Sequence, residues 1–243
     1  MNHPIVSGEQ WVAARKQLLE KEKEFTAALD ALNNQRRELP WTKVEKEYVF
    51  DTAQGKKTLA DLFEGKSQLI VYHFMLGPGW KAGCTGCSFL ADHVDGANLH
   101  LAHHDVSFVA VSRAPLAEVE AYKKRMGWRF KWVSSNSNEF NYDYHVSFKK
   151  DEMARGEVYY NYQTTKATTE ELPGTSVFFK DDTGAVFHTY SSYARGDERS
   201  LGTYMFLDLT PKGRDENGPN YNLMDWVRRH DEYGNGKSPE EGR

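Results

Sequence analysis

The stretch QLIVYHFMLGPGWKAGCTGCSFL, residues 68–90, decides the reading of this chain. Its first part, residues 69–75, is short, β-branched and aromatic. It is bounded by the breakers Gly77, Pro78 and Gly79, so it reads as a buried strand. Cys84 and Cys87 follow, and residues 88–90 open a helical pattern. The two cysteines are the only thiols in 243 residues. They therefore fall where a buried strand ends and a helix begins.

The bulk composition limits the function classes. A length of 243 suits one large domain with extensions. Hydrophobic residues make up 39%, enough for a core without disulfide staples. Mean hydropathy is −0.72 and no apolar run reaches membrane-spanning length. The net charge of −4 gives no basic excess of the kind nucleic acid recruits. The first residues lack the basic and apolar regions of a secretory signal. We therefore expect a cytoplasmic protein with no membrane or nucleic-acid partner. In that compartment a CxxC is catalytic or metal-binding rather than structural.

Outward from the opening stretch, alternation and breakers set the elements. Residues 8–32 read as a helix capped by Ser7, with Gln10 completing a capping box. Trp11, Leu18, Phe25 and Leu32 recur on one side, a faint pointer to a homodimer contact. Residues 33–42 read as a linker. A short strand at 46–50, a turn at 51–55 and a helical turn at 58–63 precede the central strand. The helix after the cysteines runs to about residue 94. A buried strand at 105–111, an amphipathic helix at 115–126 and a short strand at 130–133 come next. Residues 157–162, 175–180 and 185–190 read as strands, the last two joined by Asp181-Asp182-Thr183-Gly184, a hairpin signal. Helices are expected at 199–209 and 221–233. The order implies a mixed α/β fold: a mainly parallel sheet covered on both faces, with an antiparallel hairpin at one side. Three regions result: an N-terminal helix and linker (1–42), an α/β domain (43–210) and a C-terminal extension with a polar tail (211–243).

The chemistry concentrates at the cysteines. A thiolate is the attacking species. A first cysteine at a helix start gains from the unpaired N–H groups and the positive end of the helix. A second cysteine one turn on is placed to resolve a mixed disulfide. On this reading Cys84 attacks and Cys87 resolves, with Lys81 a nearby positive charge and Trp80 a wall. The spacing from Cys87 to His100 and His104 also matches a two-Cys, two-His zinc finger. That reading lacks the apolar residues a finger needs, since Ala91 and Ala97 stand there, and we assign no metal or cofactor. His73, mid-strand, reads as a buried hydrogen-bonded side chain. His188 in the hairpin is a candidate to face the cysteines.

Further residues carry a resemblance. The segments 48–50, 55–56, 59–63 and 65–66, with the strand from Leu69, resemble the opening of thioredoxin-fold proteins of the peroxiredoxin branch. More closely, His73-Phe74-Met75, residues 83–88, Ser112-Arg113-Ala114-Pro115, Gly127-Trp128, residues 132–135, residues 187–191, Ala194-Arg195-Gly196 and Leu207-Asp208 resemble the domain-of-unknown-function 899 family of bacterial proteins. That family is described as predicted dithiol–disulfide oxidoreductases. The resemblance implies a thioredoxin-like three-layer α/β/α sandwich with a mixed sheet and helical extensions at both ends. It implies a redox-active dithiol at Cys84 and Cys87. Gly83 and Gly86 stand where thioredoxin has Trp and Pro. Gly174 stands where thioredoxin has its cis-proline. If Cys87 is instead a peroxidatic thiol, Arg113 or Arg195 is the candidate for the guanidinium such a site needs.

Three functions are therefore open. The first is a thiol–disulfide oxidoreductase acting on a protein or small-molecule disulfide and recharged by an external thiol reductant. The second is a thiol peroxidase with Cys87 attacked by peroxide. The third is a non-catalytic redox-sensing or zinc-binding module.

Overall fold

In the computed structural model, which describes residues 3–214 and 225–234, the chain forms two units, Met1–Pro40 and Trp41–Arg243. The first is built on helix α1 (Gly8–Arg37). The Ser7 hydroxyl accepts from the Gln10 N–H at 3.2 Å, and the Gln10 side chain accepts from the Ser7 N–H at 3.0 Å. The capping box read from the sequence is thus present. The helix runs through Asn33–Arg37, the start of the expected linker. Gln35, Arg36 and Arg37 are good helix formers, and the two arginines suit the negative end of the helix. None of its residues is buried.

The second unit is a mixed eight-stranded sheet. Strands β1 (Thr42–Lys43), β2 (Val49–Thr52), β3 (Gly55–Thr58), β4 (Gln68–His73), β5 (Val106–Ser112), β6 (Lys131–Ser134), β9 (Gly174–Lys180) and β10 (Val186–Tyr193) lie in the order β1-β10-β9-β4-β5-β6-β2-β3. β7 (Glu157–Tyr160) and β8 (Gln163–Lys166) form a separate two-stranded ribbon. β4, β5 and β6 are parallel, and β9 runs antiparallel to β4. Every residue of β4 has a partner on both sides, which explains why its sequence is a nearly unbroken apolar run.

Helix α2 (Thr85–Ala91) and α3 (Val94–His103) cross from β4 to β5. α4 (Leu116–Met126) then leads to β6, and α5 (Phe140–Asp143) and α6 (Lys150–Arg155) precede β7. α7 (Gly202–Leu207) follows β10 through a 3₁₀ turn, Ala194–Ser200. Alternation along β4 divides the core. Tyr72 joins Cys87, Phe89, Tyr122 and Tyr204 on the face covered by α2, α4 and α7. Leu69 and Val71 join Phe50, Phe63, Phe140 and Phe178 on the other. The result is the expected three-layer α/β/α sandwich.

Several local expectations shift. The turn at 51–55 is the bend of the β2–β3 hairpin, whose second strand, GKKT, is largely exposed and carries no apolar alternation. The helix after the cysteines continues as α3 despite Gly96. The helix expected at 199–209 is the shorter α7. Residues 211–214 and 225–234 belong to the second unit, with Val227 buried in the core. The helix expected at 221–233 begins outside the described residues, and its described part holds a 3₁₀ turn, His230–Glu232. The tail from residue 235 lies outside the described residues. Among those described, no helix is long and apolar enough to cross a membrane.

Candidate active site

The loop after β4 folds back on the strand it leaves. The Cys84 N–H donates to the Met75 carbonyl at 3.1 Å, which fixes Cys84 beside the strand end and starts α2 at Thr85. Gly83 allows this approach. A Cβ there would lie 2.5 Å from the Phe74 ring and 2.8 Å from the Tyr122 ring. Such distances are below van der Waals contact, so the position requires glycine. The Ser88 hydroxyl donates to the Cys84 carbonyl at 2.8 Å and lies 2.9 Å from the Tyr122 hydroxyl. The backbone around the dithiol is thereby held by strand, helix and α4 together.

The two thiols have opposite environments. Cys84 is half-buried, Cys87 is buried, and both are free. The Cys84 thiol is lowered to about 6, chiefly by a hydrogen bond from the Cys87 side chain. The backbone N–H groups of Cys87 and Gly86 and the charge of Arg229 add to this, while burial opposes it. The Cys87 thiol is pushed well up, first by burial and then by its bond to, and the charge of, Cys84. Hydrogen bonds from the Tyr72 hydroxyl and the Met75 backbone oppose that rise. The surroundings thus favour ionisation at Cys84 and retention of the proton at Cys87.

The residues singled out in the sequence are dispersed. Trp80 packs against the core cluster that holds both cysteines, with its indole over Gly77. Lys81 is exposed. Arg113 is engaged elsewhere: its guanidinium bonds Glu171 at 2.6 Å, and Ser147 donates to the same carboxylate at 2.5 Å. Arg195 is at the surface and pairs with Glu198 at 2.8 Å. His188 sits on the opposite face of the sheet, against Phe178 and Tyr144, with Nε2 2.7 Å from the Ser191 hydroxyl. His73 is buried, as expected, and pairs with the Ser176 hydroxyl at 2.8 Å. Gly174 lies beneath Tyr193, whose ring would stand 2.6 Å from any Cβ there. The adjoining Pro173 carbonyl already accepts from the Tyr160 hydroxyl at 2.7 Å, and no described peptide bond is cis. His100 and His104 are exposed, at the far end of α3 and just beyond it.

The guanidinium that the site does hold comes from the C-terminal segment. Arg229 donates through Nε and Nη2 to the Gly83 carbonyl at 3.0 and 2.7 Å. Glu232 holds it at 2.8 Å, and the Tyr122 hydroxyl bonds it as well. No sequence pattern marks Arg229. Tyr72, by contrast, was within reach of strand alternation, since residues 70, 72 and 74 share a face.

A β–α–β crossover with an antiparallel hairpin beside its first strand, and a dithiol at that strand's end, places the protein in the thioredoxin-like class, the fold of thiol oxidoreductases and peroxidases. Within that class the chain belongs to a bacterial family of unknown function, DUF899, whose sequence profile matches residues 1–233. No functionally curated protein matches it in sequence. Among solved structures it is similar to the peroxidoxin BcpB from Mycobacterium tuberculosis, with 13% identity, 68% of this chain and 95% of that chain covered, and a TM-score of 0.46. Peroxiredoxin Q from Xanthomonas campestris gives 12% identity, 64% and 85% coverage and 0.44. A putative protein disulfide isomerase from Bacteroides thetaiotaomicron gives 13%, 68% and 87%, and 0.39.

Proposed function

We propose that the protein is a thiol–disulfide oxidoreductase in which Cys84 attacks and Cys87 resolves. The observation that carries this reading is the split between the thiols: a half-buried thiol lowered to about 6 beside a buried one held protonated. The Cys84 thiolate displaces one sulfur of a substrate disulfide as a thiolate and forms a mixed disulfide. Cys87 then loses its proton, attacks Cys84 and releases the second substrate thiol. Two electrons pass from the dithiol to the substrate. An external thiol reductant returns the Cys84–Cys87 disulfide to the dithiol, a cycle that suits a reducing compartment such as the cytoplasm.

The test is disulfide reduction by the single variants. Cys84→Ser loses activity, whereas Cys87→Ser completes the first displacement and stays linked to its substrate. Retained activity in Cys84→Ser overturns the reading. The same split disfavours peroxide attack at Cys87. Rapid peroxide consumption by Cys84→Ser but not by Cys87→Ser would reverse the assignment.

A further inference from the structure

Helix α1 is the longest element to which the two-thiol exchange gives no part. It has 30 residues, a length of about 45 Å, and none of them is buried. A helix in a folded protein draws most of its stability from packing an apolar face. α1 has such a face. Trp11, Leu18, Phe25 and Leu32 recur every seven residues and are 60%, 52%, 68% and 48% exposed. Val12 and Leu19, also exposed, flank this row on one side, and Ala14 and Ala28 flank it on the other. The far side carries Lys16, Lys23 and Asp30.

A seven-residue apolar repeat is the period at which two helices keep one stripe in contact along their length. The seam between the row's members holds Arg15, Glu22 and Leu29, four residues after Trp11, Leu18 and Phe25. Arg15 and Glu22 pair with each other at 2.7 Å astride Leu18, so their charges offset within one helix. The exposed apolar area of the face is on the order of 600 Å² per copy, with each aromatic side chain taken at roughly 150–250 Å². That is at the upper end of what a monomer leaves to water. Two copies together reach about 1,200 Å², the lower end of stable interfaces.

We propose that α1 pairs antiparallel with α1 of a second copy and makes the protein a homodimer. A twofold contact uses the same patch twice, so the patch must be its own complement. Charge selects the orientation. In a parallel pair every residue faces its own copy, so Arg15 meets the partner's Arg15 and Glu22 meets the partner's Glu22, like against like in the seam. Reversing one helix sets each seam residue level with a member of the partner's apolar row instead. Arg15 then lies level with the partner's Leu32, Glu22 with the partner's Phe25, and Leu29 with the partner's Leu18. The same contacts recur with the copies exchanged, as a twofold axis requires. The methylene stem of Arg15 covers leucine while its guanidinium keeps Glu22. The two helix dipoles also run head to tail. The proposal stands apart from the exchange reading and holds whichever thiol attacks.

Sedimentation equilibrium of the full-length protein tests this, in excess reductant so that no disulfide links the copies. The parent sediments at twice its 27.9 kDa. Phe25→Glu and Leu18→Glu each weaken association roughly a hundredfold. Lys16→Glu, on the far side of the helix, leaves it unchanged. Phe25→Ala keeps a strong helix former at the position, weakens association less, and serves if the Glu variants do not fold. A parent that stays at 27.9 kDa at every concentration overturns the proposal, as do Phe25 and Leu18 variants that associate like the parent. Cross-linking checks the orientation, on chains that also carry Cys84→Ser and Cys87→Ser. A Leu18→Cys chain and a Leu29→Cys chain, mixed and oxidised, link to each other. Linking of each chain to its own kind overturns the antiparallel pair.

Discussion

Arg229 and Gly83, 146 residues apart, are joined by two hydrogen bonds from one guanidinium to one carbonyl oxygen. The contact ties the C-terminal segment to the residue before Cys84 and sets a positive charge beside the thiol. Arg229→Met removes that charge. The Cys84 thiol should move up from about 6, and its alkylation rate near that pH should fall roughly three- to tenfold. An alkylation profile against pH, read by mass, checks this. An unmoved profile would mean the guanidinium serves the loop's shape alone.

The largest cause of the lowered Cys84 thiol is the hydrogen bond from Cys87. Cys87→Ala should therefore raise the Cys84 midpoint by more than Arg229→Met does, by about one unit or more. Cys87→Ser, whose hydroxyl still donates, should fall between the parent and Cys87→Ala. The same alkylation assay ranks the three proteins.

Asp197, buried on the 3₁₀ turn after β10, makes a prediction about stability. Its carboxyl is raised from 3.8 to about 6 by burial, so the folded state binds the proton more tightly than the unfolded state. The resulting penalty is full above about pH 6, shrinks as pH falls through that value, and vanishes below 3.8. A shift of about 2 units corresponds to about 3 kcal/mol as an upper figure. Asp197→Asn should thus be more stable than the parent at neutral pH, by about 1–3 kcal/mol, and lose that advantage on acidification. Denaturant midpoints at two pH values decide it.

Arg113 and Glu171 form an ion pair, with side chains 16% and 2% exposed. Arg113→Met strands the Glu171 carboxylate and should cost roughly 3–5 kcal/mol. The loss should ease at low pH, where Glu171 takes a proton. Alkylation of Cys84 should be unchanged in the folded variant. A slower thiol with intact stability would show that this guanidinium serves the site.

The parts of the fold that local pattern controls were legible. Residues 69–75 announced β4 by branching and by the Gly-Pro-Gly boundary, and Asp181 to Gly184 announced the β9–β10 hairpin. The dithiol's place at a strand-to-helix junction followed from the same signals. What escaped lacked a local signal. β3 is polar because its side chains face outward, so its pairing with β2 left no alternation to read. Arg229 reaches Gly83 only through the tertiary fold. Asp197 lies in the polar run ARGDERS, which reads as a solvated turn. Its burial on the 3₁₀ turn after β10 comes from the tertiary fold. Arg113 and Arg195 looked like candidates because arginine is what such chemistry needs, but their nearest carboxylates claim them.

The contact between Arg229 and Gly83 also imposes a timetable on biosynthesis. β4, the cysteine loop and α2 leave the ribosome long before residue 229 is made. Until the C-terminal segment emerges and closes over Gly83, a nascent chain carries its first cysteine without the guanidinium that helps to ionise it. On the exchange reading, the surroundings that favour ionisation of Cys84 are therefore complete only once residue 229 has emerged and folded back.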